Sequence, residues 1–432
     1  MNERNRPSPR VRLQLARANG QAQNRLCVAT VTLSELNHPA RACPICAEAT
    51  REVLHRQRFA EFSSEGLLAG YDVVACSHCG FCFGDRIPAQ DAFDRYYQTM
   101  SKYESAPVAA ATTDPERHRL VGIAPFIESA APSDWQILEI GCASGQLLDV
   151  LRGRGFSRVR GVDPSPACSR IARECYGIPV EVGTFSSLQT SESEADLVVL
   201  IGVLEHVCDL TLAMLVLRQL VPVGRRVFVT VPDASRYPSG VDAPYQEFSV
   251  EHINYFGPAS LENLMQLHGF EPVFCEPSTV EPSLCTSTPV IHAAFTRCQD
   301  LPGPAGGRVR PDRDTASSLR EYVAKSEREH QTVLPVLEDL AGSQRPLVVW
   351  GAGAHTLRLL ATSPLGEANI LAIIDSNPRY QGKCIGRVPI ISPRQRPDES
   401  ATVLISSRAY QEQICRQVSD RLGWKNPIIT LY

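Results

Sequence analysis

The sequence lacks several features that would place it in a special class. It has no run of about 18 consecutive apolar residues, so it offers no candidate transmembrane helix. It has no excess of one charge, because 43 basic residues face 47 acidic ones. That balance excludes a protein whose main task is binding a nucleic-acid backbone or an anionic membrane. The Arg-rich start also lacks the apolar core of a secretory signal.

The composition likewise excludes a disordered chain and a disulfide scaffold. Hydrophobic residues make up 43% and charged residues 21% of the chain, as in ordinary globular proteins. The 15 cysteines are odd in number, and several stand singly within apolar runs, which is typical of reduced, buried thiols. We therefore expect a cytoplasmic protein. A length of 432 residues predicts two or three domains.

Shifts in composition divide the chain into five segments. In the fourth we expect a charged helix over Thr315 to Ala341, kinked or divided by Pro335. The segments are 1–40 (a disordered leader), 41–95 (a cysteine-rich module), 96–300 (alternating strands and helices), 301–345 (a Pro/Gly linker and the helix) and 346–432 (a second, smaller α/β unit).

The cysteine-rich module contains two C-x2-C pairs. Cys43 and Cys46 form the first, and Cys76 and Cys79 form the second, with 29 residues between the pairs. Four thiolates presented in this way fit tetrahedral Zn²⁺, whose binding contributes folding energy directly. Unmetallated thiols are the alternative interpretation. Four protein ligands leave no open coordination position, so the predicted role of the zinc is structural.

The middle unit begins with an apolar strand, a glycine turn and a helix, WQILEIGCASGQLLDVL. Gly141 and Gly145 allow backbone to approach a ligand at the carboxyl end of the strand, where open α/β sheets bind their ligands. The next strand ends in Asp163, 22 residues after Gly141. An acidic side chain there can accept hydrogen bonds from both ribose hydroxyls of an adenosine ligand.

The loop reads E-x-G-x-x-x-G from Glu139, not the G-x-G-x-x-G of dinucleotide-binding proteins. This pattern, with the strands that follow it, resembles class I S-adenosylmethionine-dependent methyltransferases. The resemblance implies a Rossmann-like sheet, with Glu139 orienting the loop and the cationic methionine end of the cofactor. An α/β domain without the ligand is the alternative, and His206 is interpreted as a packing residue. The implied cofactor residues are Glu139, Gly141, Ala143, Gly145, Asp163, Thr184, Phe185 and Gly202.

Glu251 and His252 stand before an aromatic pair and a predicted helix. A histidine beside a carboxylate suits a general base, because its ordinary pKa is about 6.5. Packing beneath the helix is the other interpretation of His252. Tyrosines also cluster in the connector before the middle unit, at Tyr96, Tyr97 and Tyr103.

The whole arrangement of cysteine module, methyltransferase unit and small Rossmann-like end resembles sugar C-methyltransferases, which act on nucleotide-linked keto-deoxysugars. The resemblance implies that His252 removes the proton beside the sugar ketone, with Glu251 as its acidic neighbour. Tyr103 matches the connector's active-site tyrosine. Where that family has a tyrosine two residues before the glutamate, this chain has Ser249.

The last unit has a second glycine turn at Gly351 and Gly353, with Asp375 following 24 residues after Gly351. Docking of the nucleotide-linked sugar is our first interpretation, a purely structural role the second and NAD binding the third. The overall prediction is a methyltransferase with a small-molecule substrate and no nucleic-acid or membrane partner. The alternatives are O- or N-methylation of another metabolite, and a non-catalytic, zinc-bearing assembly module.

Overall fold

The computed structural model describes residues 38–62, 67–100, 115–188, 194–283, 285–298 and 309–432. Tyr103 and nearly all of the predicted leader lie outside these ranges. Fourteen cysteines fall within them, and all are free thiols. No helix in the described ranges combines the length and the hydropathy that a membrane span requires.

Strands and helices of the described residues are numbered in chain order. The strands are β1 (Arg51–Arg58), β2 (Gly70–Cys76), β3 (Cys82–Asp85), β4 (Ile137–Ile140), β5 (Val159–Asp163), β6 (Val180–Val182), β7 (Leu197–Ile201), β8 (Arg226–Pro232), β9 (Asn254–Tyr255), β10 (Phe270–Ser283), β11 (Thr286–Arg297), β12 (Leu347–Trp350), β13 (Ile370–Ile374), β14 (Cys384–Ile385), β15 (Val388–Ile391), β16 (Thr402–Ile405) and β17 (Ile428–Thr430). The α-helices are α1 (Gln90–Met100), α2 (Pro115–Ala130), α3 (Gln146–Gly153), α4 (Pro166–Ile171), α5 (Phe185–Leu188), α6 (Leu210–Leu220), α7 (Pro258–Leu267), α8 (Thr315–Ser343), α9 (Ala354–Thr362) and α10 (Gln411–Arg416). Short 3₁₀ or π turns are Ala172–Tyr176, Leu204–His206, Ala234–Ser239, Pro364–Glu367 and Gln417–Arg421.

The central sheet has the strand order β10-β11-β8-β7-β4-β5-β6. Strands β4 to β8 are parallel, and β11 runs antiparallel to both β8 and β10. Helices on both faces explain why every residue of β4 and β7 is buried and why β7 is a continuous apolar run. The strand order reverses at β4, so the crevice at the carboxyl ends of β4 and β7 is the expected ligand site.

The C-terminal sheet repeats this design on a smaller scale, with the order β14-β15-β13-β12-β16-β17. Strands β12, β13, β15, β16 and β17 are parallel, and β14 is antiparallel. The predicted fold class, a methyltransferase-type α/β sheet with a second Rossmann-like unit, is confirmed.

Strand β9 connects the cysteine-rich module to the central unit. The module's antiparallel sheet has the order β1-β2-β3-β9, in which Cys82 pairs with Tyr255 and Phe83 with Asn254. Because β9 begins two residues after His252, the module's own sheet holds the segment that carries the predicted base.

Helix α8 runs unbroken from Thr315 to Ser343, so Pro335 does not divide it, and a kink at Pro335 stays a prediction. Val333 and Leu337 are buried on either side of the proline. Their packing offsets the hydrogen bond that proline removes from the helix. Helix α8 contacts the turn after β8 and the turn after α9, and so bridges the two Rossmann-like units.

Candidate active site

The loop after β4 is fixed by hydrogen bonds to β5 and its end. Gly141 donates its N–H to the carbonyl of Val162 at 2.8 Å and has a φ of +75°. A Cβ there would lie 2.8 Å from a methyl of Val203, so glycine is required. Ala143 donates its N–H to Oδ2 of Asp163 at 2.7 Å. Asp163 therefore positions the loop while its oxygens keep lone pairs for further donors.

A cavity opens at the carboxyl ends of β4 to β7. Six predicted cofactor residues line it: Gly141, Ala143, Asp163, Thr184, Phe185 and Gly202. Two do not, since Glu139 is buried within β4 and Gly145 forms the left-handed N-cap of α3. The further polar residues of the lining are Gln90, Asp94, Tyr97, His206, Asp209 and Glu251. The cavity thus extends from the glycine loop to Glu251, while the predicted base His252 is not among its lining residues.

Glu139 has the properties of a carboxyl group that requires a cationic partner. It is 3% exposed, and its Oε2 has no hydrogen-bond partner among the described residues. Burial, reinforced by the charge of Asp163, raises the pKa of Glu139 to about 8. A positive group close to Glu139 would offset both the cost of burying its charge and the repulsion from Asp163. Glu139 and Asp163 therefore fit the cationic methionine end of S-adenosylmethionine.

We expect binding of S-adenosylmethionine to release a proton from Glu139. Its pKa of about 8 leaves it largely protonated at neutral pH, and a cationic ligand favours the ionised form. Affinity should therefore rise with pH and level off above that pKa. Calorimetry in two buffers of different ionisation enthalpy measures the proton release. The binding enthalpies in the two buffers should differ for the wild type and agree for Glu139→Gln. Equal enthalpies for the wild type would contradict the pairing of Glu139 with the cationic end of the cofactor.

We expect Asp163→Ala to weaken S-adenosylmethionine binding roughly 10- to 100-fold, as the loss of charged hydrogen bonds does. Asp375→Ala is the matched control. Asp375 receives the N–H of Ala352 at 2.8 Å and that of Asn377 at 2.7 Å, just as Asp163 receives those of Ala143 and Ser165. Calorimetry should find that Asp375→Ala binds S-adenosylmethionine with the wild-type affinity. A larger loss in Asp375→Ala would place the cofactor in the C-terminal unit instead.

The backbone around Glu251 and His252 is held from several directions. Ser249 accepts the N–H groups of Glu251 and His252 on its Oγ, at 3.2 and 3.1 Å. Tyr255 donates its hydroxyl to the carbonyl of His252 at 3.0 Å. Tyr71, on β2, donates to the carbonyl of Ser249 at 2.8 Å. Ser249 is thus a turn-capping residue in this chain, and the N-terminal module supplies part of the support.

His206 lies beside His252, with ring centroids 4.9 Å apart. Its Nδ1 is 3.0 Å from both the Tyr97 hydroxyl and the carbonyl of Glu251. Because a carbonyl only accepts hydrogen bonds, we assign a hydrogen to Nδ1. Its Nε2 is 3.9 Å from Oε1 of the buried Glu205.

The sequence pattern favours a packing role for His206, and the position of His206 beside His252 is not predicted by it. One feature of the sequence indicates that His206 lies near the site: it follows β7, whose carboxyl end lies at the same sheet edge as the glycine loop. Tyr96 and Tyr97 reach the site from α1, and Tyr96 donates to Oε1 of Glu251 at 3.1 Å. Burial, and then the charge of Glu251, raises the pKa of Tyr96. The role of Tyr103 stays a prediction.

The four cysteines of the N-terminal module converge. The Sγ atoms of Cys43 and Cys79 are 3.5 Å apart, as are those of Cys46 and Cys76, and all four lie within 4.8 Å of one another. Zn–S bonds of about 2.3 Å in a tetrahedron require sulfur separations of about 3.8 Å. A hydrogen bond from Cys79 lowers the pKa of Cys43 to about 5. The donor set fits a structural zinc ion.

The second knuckle is closed by a distant segment. Gly80 has a φ of +77°, and a Cβ there would lie 2.0 Å from the carbonyl oxygen of Asp312. Asp312 donates its N–H to the carbonyl of Cys79 at 2.8 Å. Residues before α8 therefore brace the metal-binding turn, which leaves no room for a side chain after Cys79.

A second cluster in the described residues has metal-ligating chemistry. Glu205, His206 and His252 each place one ligand atom within 4.8 Å of the others. This set supplies three ligands, while the cysteines supply four. His206 of this cluster and Glu251 beside it line the cavity, so both face the space in which a substrate would react.

Comparison with family models gives two matches. Residues 114–273 match a methyltransferase domain, and residues 310–431 match a C-methyltransferase C-terminal domain. The chain therefore contains a class I S-adenosylmethionine-dependent methyltransferase domain. With its second matched domain, the protein is an S-adenosylmethionine-dependent methyltransferase that carries a C-methyltransferase C-terminal domain.

No curated protein matches the chain. Among solved structures, a Methanosarcina mazei S-adenosylmethionine-dependent methyltransferase is 18% identical, with a TM-score of 0.34, over 41% of this chain and 98% of the other. The CcbJ methyltransferase of Streptomyces caelestis is 16% identical, with a TM-score of 0.35, over 47% and 98%. The N-methyltransferase NodS of Bradyrhizobium japonicum is 16% identical, with a TM-score of 0.33, over 49% and 98%.

Proposed function

We propose that the protein transfers a methyl group to a carbon atom of a nucleotide-linked keto-deoxysugar, with His252 as the base. The observation that carries the proposal is the shared cavity, which is lined at one end by the glycine loop and at the other by His206 and Glu251. The His252 ring stacks edge-on against His206. Support for the acceptor class comes from the C-methyltransferase C-terminal match and the resemblance of the whole chain to sugar C-methyltransferases.

S-adenosylmethionine supplies an electrophilic methyl group when it is bound. Asp163 accepts the ribose hydroxyls, and ionised Glu139 balances the cationic end. His252 would take the proton from the carbon beside the ketone, and the C–H electron pair would delocalise into the carbonyl as an enolate. The enolate carbon would form the new C–C bond as the bond between the methyl group and the sulfonium sulfur breaks, which leaves S-adenosylhomocysteine. His206 restrains the His252 ring, and Tyr96 holds the Glu251 carboxylate by its hydroxyl. The ketone acidifies the adjacent C–H, so one positioned base is sufficient.

The cysteine cluster has a supporting part in this proposal. A structural zinc ion on Cys43, Cys46, Cys76 and Cys79 would stabilise the module whose strand β3 pairs with β9. Strand β9 in turn fixes the chain direction just after His252. The C-terminal unit would hold the nucleotide portion of the substrate, as the resemblance implies.

The test is incubation of the protein and S-adenosylmethionine with a panel of nucleotide-linked 4-keto-6-deoxysugars, followed by mass spectrometry. We expect one sugar to gain a methyl group, and fragmentation to place that group on a ring carbon. A methyl group on oxygen or nitrogen would contradict the proposal. Cofactor binding without any methylated sugar would also contradict it, and would favour a different acceptor.

A further inference from the structure

Glu205, His206 and His252 form a cluster of one carboxylate and two imidazoles beside the cofactor cavity, which His206 lines. One ligand atom of each residue lies within 4.8 Å of those of the other two. Glu205 is 3% exposed, and the two histidines are half-buried. Two imidazoles and a carboxylate are a donor set typical of metal sites that keep one coordination position open. The proposed mechanism gives Glu205 no part.

The separation of two of these ligand atoms is close to the one that a metal ion requires. Nε2 of His206 lies 3.9 Å from Oε1 of Glu205. Zinc bonds of about 2.1 Å to nitrogen and oxygen place neighbouring donors of a tetrahedron about 3.4 Å apart. The two atoms therefore need to approach by only about 0.5 Å, which small changes in side-chain torsion can supply.

The ring of His206 is already oriented as a ligand. Its Nδ1 donates to the carbonyl of Glu251 at 3.0 Å, so in the neutral ring the lone pair is on Nε2. Nε2 is the nitrogen that lies near the Glu205 carboxylate. Metal-binding histidines commonly donate the other ring N–H to a carbonyl or carboxylate, because this fixes the tautomer and raises the basicity of the ligating nitrogen. The Glu251 carbonyl has this role here.

Hydrogen bonds hold the two ligand-bearing segments against each other. Ile253 donates its N–H to the carbonyl of Glu205 at 2.9 Å. Asn254 donates its side-chain amide to the carbonyls of Leu204 and Val207, at 2.9 and 2.7 Å. The segment after the second histidine thus holds the turn that carries the other two ligands. Because this backbone is already fixed, little conformational entropy is lost when a metal ion binds.

We propose that Glu205, His206 and His252 bind a divalent transition-metal ion, with Zn²⁺ as the representative, and that this ion inhibits the enzyme reversibly. Imidazole ligands select Zn²⁺, Co²⁺, Ni²⁺ and Cu²⁺ over Mg²⁺ and Ca²⁺, which prefer oxygen ligands. Three protein ligands bind zinc less tightly than the four thiolates of the N-terminal module. The second site therefore fills only after the cysteine cluster.

The inhibition rests on the function proposed above, whereas the metal site does not. A ring nitrogen of His252 that donates its lone pair to a metal ion cannot accept a proton from the carbon beside the ketone. The other nitrogen of a neutral imidazole carries a hydrogen, so no second lone pair is left. Filling the site therefore stops proton removal and methyl transfer together.

The experiment titrates Co²⁺ into the full chain after dialysis against zinc-free buffer. Cobalt at nitrogen and oxygen ligands absorbs by d–d transitions in the visible range, without the near-ultraviolet charge-transfer band of a cobalt thiolate. The spectrum therefore distinguishes this site from the cysteine cluster. We expect about one Co²⁺ per chain with the thiolate-free spectrum.

Calorimetric titration with Zn²⁺ tests the ligands. Glu205→Gln and His206→Gln should each weaken binding of the second ion by at least about 100-fold, because even residues behind the ligands contribute about 10- to 100-fold. The matched control is His118→Ala, which removes an exposed histidine of α2 and should leave the affinity unchanged. Loss of the second ion in this control would indicate surface binding and overturn the site.

Melting temperatures separate metal binding from packing. Glutamine has the size of glutamate, so Glu205→Gln should melt at the wild-type temperature in buffer without added metal. Added Zn²⁺ should raise the melting temperature of the wild type and not that of the variant. If Glu205→Gln does not fold, His206→Gln decides. A second ion that binds equally well to the wild type and to the folded variants would overturn the proposal.

The outcomes also distinguish this inference from the proposed function. If a keto-deoxysugar is methylated and no second ion binds, or if saturating Zn²⁺ leaves turnover unchanged, the inhibitory site is overturned while the function stands. If no sugar is methylated but a second ion binds through Glu205 and His206, the metal site is supported and the function fails. Turnover that requires the second ion would overturn the inhibition and the role of His252 as a free base.

Discussion

Replacing His252 with alanine is expected to reduce methyl transfer by about 10²- to 10⁴-fold, which is the usual contribution of general acid–base catalysis. The change removes the imidazole that takes the proton from the acceptor carbon. It should leave S-adenosylmethionine affinity unchanged, because His252 is not among the residues that line the cofactor cavity. Turnover by mass spectrometry and affinity by calorimetry, on the same preparation, measure the two effects.

The matched control for His252 is His118→Ala. His118 is an exposed histidine on α2, and its loss should change neither quantity. Full turnover in His252→Ala would end its candidacy as the base. A parallel loss of cofactor affinity and thermal stability would instead indicate a packing role beneath α7, the alternative that the sequence left open.

Replacing Cys79 with serine is expected to release one zinc ion per chain and to lower the melting temperature by on the order of 10 °C. Structural zinc contributes its binding free energy to folding, and each kcal/mol lost shifts the midpoint by about 2–4 °C in domains of 150–250 residues. Cys79 is 1% exposed within the cluster, so serine also leaves a buried hydroxyl in place of a ligand. Elemental analysis and calorimetric melting measure both effects.

Cys82→Ala is the control for the zinc prediction. Cys82 is buried on β3, three residues from Cys79, but lies outside the four-sulfur cluster. It should retain the metal and most of the stability. Zinc-free wild-type protein of normal stability would refute the site. Two metal ions per chain would favour a second ion at Glu205, His206 and His252.

Zinc loss should also affect catalysis more than cofactor binding. The pairing of β3 with β9 ties the backbone beside His252 to the N-terminal module, so unfolding of the module would release that backbone. The glycine loop, in contrast, belongs to the central sheet. We therefore expect the metal-depleted protein to keep its S-adenosylmethionine affinity and lose turnover. Equal losses of both would mean that the module supports the whole fold and not the acid–base segment.

Local sequence patterns predicted the features that depend on neighbouring residues. The glycine turn at Gly141 and the acid at Asp163 each lie at the end of a short apolar strand, and the parallel topology brings those ends to one edge. The C-x2-C pairs converge in the same way, because the β1–β2 hairpin brings the second knuckle back to the first.

Contacts between distant residues were not accessible from local pattern. His206 meets His252 because Asn254 donates to the carbonyls of Leu204 and Val207, which joins two segments about 50 residues apart. No periodicity in either segment encodes that contact.

Two residues have a different local role from the one that the sequence suggested. Pro335 does not divide its helix, because buried neighbours on both sides of it keep α8 continuous, and the kink stays a prediction. Ser249 was noted only as a departure from a family pattern. Its hydroxyl caps the Glu251–His252 turn, and Tyr96 and Tyr97 approach the same site from α1.

In the proposed mechanism, His252 creates a carbon nucleophile before methyl transfer. The most direct measurement is deuterium uptake by a nucleotide-linked 4-keto-6-deoxysugar in deuterated water, with S-adenosylhomocysteine in place of the methyl donor. The account predicts uptake at the carbon beside the ketone with the wild-type protein and none with His252→Ala. Carbon methylation by the wild type without exchange, or equal exchange in the variant, would contradict it.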